Sequence, residues 1–136
     1  MDNSLNRLQE VFFYGLYMDP EILKSKGVEP RNPRMAIAKG FKLRIGNMAT
    51  LLRSEESEAN GIVYSLTHSE IDLLYSKSGL DMYITEAILV NLNNGDALAA
   101  LTCNLLVPPE EHESNPEYYK KLMLCMDRLN VPTINA

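Results

Sequence analysis

The residues with the clearest chemical potential in this sequence are the five at 14–18, Tyr-Gly-Leu-Tyr-Met. They follow an apolar segment and precede Asp19 and Pro20, a good N-cap and a residue suited to the first position of a helix. A strand that ends at a glycine and turns abruptly into a helix leaves main-chain N–H groups free of secondary structure. Such groups bind carboxylate and carbonyl oxygens, so the segment predicts a small site for an anionic or amide-bearing ligand.

Several strands are expected to surround this turn. Residues 11–14 are rich in β-branched and aromatic side chains, which favours a buried strand. Residues 82–92 show the strongest strand pattern, and an Asn-Asn-Gly-Asp turn joins them to an apolar segment at 97–107, which is typical of a hairpin. Residues 49–54 and 61–67 are predicted to be two further strands that are joined by an acidic turn.

Two capping boxes predict helices between the strands. Thr67 is followed three residues later by Glu70, and Ser114 is followed by Glu117. The second helix is expected to run for about 14 residues. Its predicted packing side consists of Tyr119, Leu122, Met123 and Met126. Helices interspersed among five to seven hairpin-joined strands indicate an α+β fold, in which a small mixed β-barrel carries peripheral helices.

Length and charge narrow the class of protein. A chain of 136 residues has the usual size of one domain, so we expect residues 1–136 to form a single domain. A net charge of −5 argues against nucleic acid as a partner, and no apolar run approaches the roughly 20 residues that span a bilayer. The polar N-terminus is unlike a secretory signal, so the expected location is cytoplasmic. Cys103 and Cys125 lack the spacing of metal ligands and are expected to be buried free thiols.

Four segments occur in an order that is typical of one enzyme family. They are FFYGLYM at 12–18, GNMATLL at 46–52, GIVYSLTHSEIDLLYSKSGLDMY at 61–83 and PEYYKKLMLCMDRLNVP at 116–132. Together they resemble the γ-glutamylcyclotransferase family, and the resemblance covers roughly residues 11–132. It implies a small barrel fold and a reaction in which the α-amine of a γ-glutamyl group attacks its own γ-carbonyl. That reaction forms 5-oxoproline and releases an amine.

The resemblance also implies which residues bind the substrate. The hallmark of the family is Tyr-Gly-Ser-Asn or Tyr-Gly-Thr-Leu, whose backbone N–H groups hold the substrate's carboxylate and carbonyl oxygens. Tyr14 and Gly15 match this motif, whereas Leu16 and Tyr17 replace its last two residues. Main-chain donors tolerate such replacements, because Gly15 still permits close approach whatever side chains follow. The implied substrate-binding set is Tyr14, Gly15, Leu16, Tyr17, Met18 and Tyr83.

The catalytic position of the family departs from its pattern in this chain. A family glutamate takes a proton from the attacking ammonium and delivers it to the leaving amine. In the matching stretch, Gly79, Leu80 and Tyr83 align, and Ser78 stands at the position of that glutamate. A serine hydroxyl is no useful proton acceptor near neutral pH without a base of its own. The resemblance therefore implies a site without standard cyclotransferase activity.

Another acid could take over the role of the missing glutamate. Asp81 is the candidate, since it lies between Ser78 and Tyr83; otherwise it is a solvated loop carboxylate. Glu86 lies on the following strand, and strand alternation places it on the opposite face from Tyr83. We expect His112 to lie on the surface.

Three functions remain open at this point. The favoured hypothesis is a non-catalytic protein with a pocket for a γ-glutamyl or similar carboxylate- or amide-bearing small molecule. The second is an active γ-glutamyl-amine cyclotransferase that uses Asp81. The third is an interaction subunit with a vestigial pocket, which Tyr17 would fill. We expect no cofactor, no metal, no nucleic acid and no membrane among the partners.

Overall fold

Five β-strands form a small barrel in the computed structural model, which describes residues 4, 6–76, 80 and 82–133. In chain order they are β1 (Leu8–Phe13), β2 (Arg31–Ile45), β3 (Ala49–Thr67), β4 (Tyr83–Leu92) and β5 (Ala97–Leu105). Around the barrel their order is β1-β3-β2-β4-β5. Every neighbouring pair is antiparallel except β1 and β5, which are parallel. The predicted α+β class with a small mixed barrel is confirmed.

Three α-helices within the described part of the chain pack beside the barrel. They are α1 (Pro20–Ser25), α2 (His68–Tyr75) and α3 (Pro116–Arg128), and a 3₁₀ turn (Leu16–Met18) precedes α1. No helix among the described residues is long and apolar enough to cross a membrane.

The caps of these helices follow the sequence closely. The Asp19 side chain accepts a hydrogen bond from the start of α1, and Thr67 with Glu70 forms the predicted capping box of α2. The prediction for α3 is one residue off, because Asn115 rather than Ser114 is its N-cap.

Two apolar clusters hold these elements together, one on each side of the barrel wall. Phe12 and Val63 belong to the inner cluster, which receives side chains from all five described strands. Phe13 and Ile62 belong to the outer cluster, where buried residues of the three helices pack on β1 and β3. Successive residues of β1 therefore point to opposite faces, as strand alternation requires. Cys103 and Cys125 are free and buried, as predicted.

The prediction of two strands joined by an acidic turn at residues 49–67 is wrong. Residues 49–67 form the single long strand β3, which pairs with β2 along its length. The register shifts where Lys39 pairs with Glu58 and Phe41 pairs with Arg53, so residues 54–57 lie opposite Gly40 alone. The acidic segment is therefore a bulge in a continuous strand, since its polar side chains reach solvent without a chain reversal.

Gly61 of β3 allows the end of β1 to pack closely. A methyl group at this position would lie 2.3 Å from the carbonyl oxygen of Phe13 and 2.7 Å from a ring carbon of Phe12. Any side chain here would push away the end of β1, and with it the turn at residues 14–18.

Gly61→Ala is expected to lower the free energy of unfolding by about 1–3 kcal/mol, because overpacking forces the neighbouring backbone to move. Urea denaturation measures this change. Asn60→Ala is the control, since Asn60 is adjacent and only partly buried, and it should change stability by less than about 0.5 kcal/mol. Equal effects of the two substitutions would contradict the close packing of β1 on Gly61.

Candidate functional site

A cavity of about 310 Å³ lies where β1 ends. Its lining comprises residues 12–17, Ile22 of α1, Lys26 directly after α1, residues 47–49 at the start of β3, and Tyr75, Leu80, Tyr83 and Tyr118. The cavity is within the size range of small-molecule sites.

Tyrosines dominate the cavity wall. Five of the seven tyrosines in the chain line it, namely Tyr14, Tyr17, Tyr75, Tyr83 and Tyr118. Burial raises the pKa of each of these phenols above its ordinary value. All five are therefore neutral near neutral pH, and none supplies a base.

Most of these phenols direct their hydroxyl groups to the main chain. Tyr14 donates to the carbonyl of Cys103 at 2.6 Å, Tyr17 to that of Leu74 at 3.2 Å, and Tyr83 to that of Ala49 at 2.5 Å. The rings form a continuous row, with centroid distances of 5.9 Å from Phe13 to Tyr17, 5.7 Å from Tyr17 to Tyr75, and 5.6 Å from Tyr75 to Tyr83. Hydroxyl groups bonded in this way also fix the orientation of the rings.

The turn at residues 15–18 contains both paired and unpaired N–H groups. The Met18 N–H donates to the Gly15 carbonyl at 3.0 Å, and the Leu16 N–H donates to the Tyr118 hydroxyl at 3.2 Å. The N–H groups of Gly15 and Tyr17 have no hydrogen-bond acceptor among the described residues. Both residues line the cavity, so their N–H groups are candidate donors to a ligand oxygen.

Met18 is placed differently from the other residues predicted to bind substrate. Its side chain is fully buried in the outer apolar cluster and does not line the cavity, and its N–H closes the 3₁₀ turn. Its carbonyl accepts a hydrogen bond from Tyr64 at 2.7 Å, which anchors the turn to β3. Met18 therefore anchors the turn in the outer apolar cluster, and its side chain does not contact the cavity.

Gly15 is required by its contact with helix α3. Its backbone is in an ordinary extended conformation, so the need for glycine is steric. A methyl group on Gly15 would lie 2.5 Å from the Tyr118 hydroxyl oxygen. The close approach expected at this glycine thus involves a side chain of the protein itself.

Charge is scarce in the cavity. Lys26 is the one charged side chain that lines it in the described ranges, and no carboxylate from those ranges does so. Glu86 instead accepts a hydrogen bond from Asn104 at 2.9 Å, away from the cavity, in agreement with strand alternation. Ser78 and Asp81, the two catalytic candidates, lie outside the described residues.

A buttressed turn forms the rim of the cavity at residues 47–49. Arg44 donates to the carbonyl groups of Glu110 at 2.7 Å and Glu113 at 2.9 Å. The Glu113 carboxylate accepts from the Asn47 N–H at 3.2 Å, and hydrogen bonds from the backbone lower its pKa. This network ties the segment before α3 to the β2–β3 turn. His112 belongs to the same segment and is exposed, as expected.

Sequence reasoning missed Tyr75 and Tyr118 as cavity residues. The predicted packing side of α3 contains Tyr119, whereas Tyr118 is the tyrosine that lines the cavity. Tyr119 is 52% exposed. Tyr118 lies four residues and Tyr119 three residues before the fully buried Leu122, and both spacings are compatible with one helix face, so spacing alone does not identify the correct tyrosine.

Clusters that could hold a metal ion are lacking in the part of the chain that the structure describes. No group of three or more His, Cys, Asp or Glu side chains comes together there. The chemistry available to the described cavity is therefore that of main-chain donors, phenols and one amine.

Comparison with known proteins gives structural matches only. No protein-family model matches the chain, and no curated protein matches it significantly. A solved γ-glutamyl cyclotransferase matches with a TM-score of 0.78 and 20% identity over 93% of this chain and 82% of that one. The chain has a γ-glutamylcyclotransferase-like fold.

Two further solved structures share this γ-glutamylcyclotransferase-like fold. An uncharacterized protein from Homo sapiens matches with a TM-score of 0.74 and 20% identity, over 90% of this chain and 80% of that one. An AIG2-like protein from Mus musculus matches with a TM-score of 0.59 and 16% identity, over 85% and 94%. The structural similarity establishes the shared fold. At identities this low, the roles of individual residues have to be argued from the cavity itself.

Gly15→Ala is expected to destabilise the protein, because its methyl group collides with the Tyr118 hydroxyl. In a Tyr118→Phe background the same substitution should cost less, with a coupling free energy of about 0.5–3 kcal/mol in urea denaturation. Tyr119→Phe is the matched control, since Tyr119 is adjacent and exposed, and it should show no coupling to Gly15. Additive effects of Gly15→Ala and Tyr118→Phe would refute this contact.

Proposed function

We propose that this protein binds a small molecule with a γ-glutamyl or similar carboxylate- or amide-bearing group and lacks standard cyclotransferase activity. One observation carries the proposal: the N–H groups of Gly15 and Tyr17 have no acceptor among the described residues, and both residues line a cavity together with Lys26. Donors and a cation favour anionic and carbonyl oxygens. The structural match to a γ-glutamyl cyclotransferase supports the choice of ligand class.

The cavity is open rather than filled by Tyr17. The Tyr17 ring packs edge to face against Phe13 and Tyr75, and its hydroxyl group bonds to the Leu74 carbonyl. A volume of about 310 Å³ remains beside it. This arrangement supports ligand binding over an interaction subunit whose pocket is plugged.

Loss of cyclotransferase activity follows from the need for a proton acceptor. Cyclisation requires that the attacking ammonium lose a proton, and a neutral phenol with a raised pKa does not accept one. Lys26 and the tyrosines are the titratable groups of the described lining. At the position where the family has its glutamate, this sequence has Ser78.

Ligand binding should appear as thermal stabilisation. Millimolar γ-glutamyl ethylamide is expected to raise the melting temperature by about 2–5 °C, because a ligand of the native state stabilises it by mass action. Lys26→Met should reduce this shift, whereas Lys24→Met, two residues earlier in α1 and outside this cavity, should not. No shift for the unmodified protein at millimolar ligand would contradict the proposed binding.

The natural protein should not form 5-oxoproline, and a carboxylate at position 78 should restore the reaction. Chromatography is expected to detect no 5-oxoproline after incubation of the protein with γ-glutamyl ethylamide. Ser78→Glu should produce it, and Ser76→Glu, which adds the same charge two residues earlier, should not. Release of 5-oxoproline by the natural sequence, abolished by Asp81→Asn, would support the active enzyme instead.

A further inference from the structure

One side of the cavity is a row of aromatic rings, which we call the aromatic wall and which consists of Phe13, Tyr17, Tyr75 and Tyr83. This wall is largely apolar, although three of its residues carry a hydroxyl group. The hydroxyl groups of Tyr17 and Tyr83 donate hydrogen bonds to main-chain carbonyl groups. Burial raises the pKa of the Cys103 thiol, and the neighbouring Thr85 and Tyr75 side chains oppose that rise. The hydroxyl hydrogens of Tyr17 and Tyr83 are thus occupied by the protein, and these rings present mainly carbon to a ligand.

Several polar groups of the cavity come from one part of the chain. The N–H groups of Gly15 and Tyr17, which have no acceptor among the described residues, lie in one turn, and the Tyr118 hydroxyl bonds to the same turn through the Leu16 N–H. Lys26 directly follows α1, the helix that begins after this turn. These groups can satisfy one oxygen-rich end of a ligand, and the aromatic wall remains for the other end.

We infer that the ligand is an amide whose nitrogen carries an apolar, aromatic substituent and no second carboxylate. This inference rests on the proposed function and specifies the half of the ligand that the function leaves open. The oxygen-rich glutamyl end binds at the turn and Lys26. The substituent on the amide nitrogen packs against the aromatic wall, where ring–ring contacts are favourable.

Among the described residues, a second carboxylate at this wall would lack a cation. Lys26 is the one cation of the described lining, and the carboxylate of the glutamyl end already requires it. A buried carboxylate without a cation is disfavoured relative to water. Ile22 and Leu80, which line the same cavity, add further apolar surface.

A matched pair of ligands tests this inference. γ-Glutamyl phenethylamide and γ-glutamyl-phenylalanine share the same ring and chain and differ by one carboxylate. In isothermal titration calorimetry, the phenethylamide is expected to bind at least tenfold more tightly. γ-Glutamyl ethylamide, which lacks the ring, should also bind at least tenfold more weakly than the phenethylamide.

The possible outcomes separate this inference from the proposed function. Equal or tighter binding of γ-glutamyl-phenylalanine, or equal binding of the ethylamide, would overturn the aromatic amide while leaving glutamyl binding intact. Failure of all three compounds to bind would contradict the proposed function itself.

A cation added at the rim should change the preference in a defined direction. Met48 lines the cavity and is partly exposed, so Met48→Lys would provide a partner for the second carboxylate. This variant is expected to bind γ-glutamyl-phenylalanine about tenfold more tightly than the natural sequence does. Leu124→Lys is the control, because Leu124 is exposed on α3 and outside the cavity, and it should leave the ligand preference unchanged. If Met48→Lys leaves the ligand preference unchanged, the missing cation is not the reason why the protein favours the phenethylamide over γ-glutamyl-phenylalanine.

Discussion

The close packing of β1 on β3 at Gly61 is the constraint on which the cavity depends. Phe13 pairs with Ile62, and the missing side chain of Gly61 admits the Phe13 carbonyl and the Phe12 ring. Since β1 ends here, the chain enters the turn at residues 14–18 at a fixed position and angle. Tyr64 of β3 then holds that turn through the Met18 carbonyl. The position of the main-chain donors thus follows from one strand pairing and one hydrogen bond.

Burial both stabilises the site and limits its chemistry. The tyrosine rings that close the cavity gain stability from desolvation and from edge-to-face contacts. The same desolvation raises the pKa of their phenols, which stay protonated where a proton acceptor would be needed. A cavity built in this way is a good receptor for oxygen and apolar surface. It does not contain a general base among its described tyrosines.

Local signals predicted much of the fold, and long-range contacts account for the errors. Asp19 and the pair of Thr67 and Glu70 were identified because a cap depends on neighbouring residues in the sequence. The bulge at residues 54–57 has the acidic composition of a loop, which predicts a turn, and its place in a strand depends on a pairing with β2 that no local pattern shows. The buried Leu122 and Met126 lie on the predicted side of α3, and the error concerns only which tyrosine of the first turn lies on that side. Tyr118 lies four residues and Tyr119 three residues before Leu122, and both spacings are compatible with one helix face, so the choice depends on the contact of α3 with the turn at residues 15–18.

Ligand binding and catalysis can be separated in a fold of this kind, because binding uses main-chain donors whereas proton transfer uses a side chain. The donors of Gly15 and Tyr17 are main-chain groups, so they do not depend on the side chains of residues 16 and 17. Under the proposed function, proton transfer would by contrast depend on one side chain, and Ser78 at the position of the family glutamate would remove it. Under the proposed function, natural selection for ligand binding then acts on the turn, on Lys26 and on the ring surfaces. A receptor for a glutamyl amide can persist in this way after its reaction has been lost.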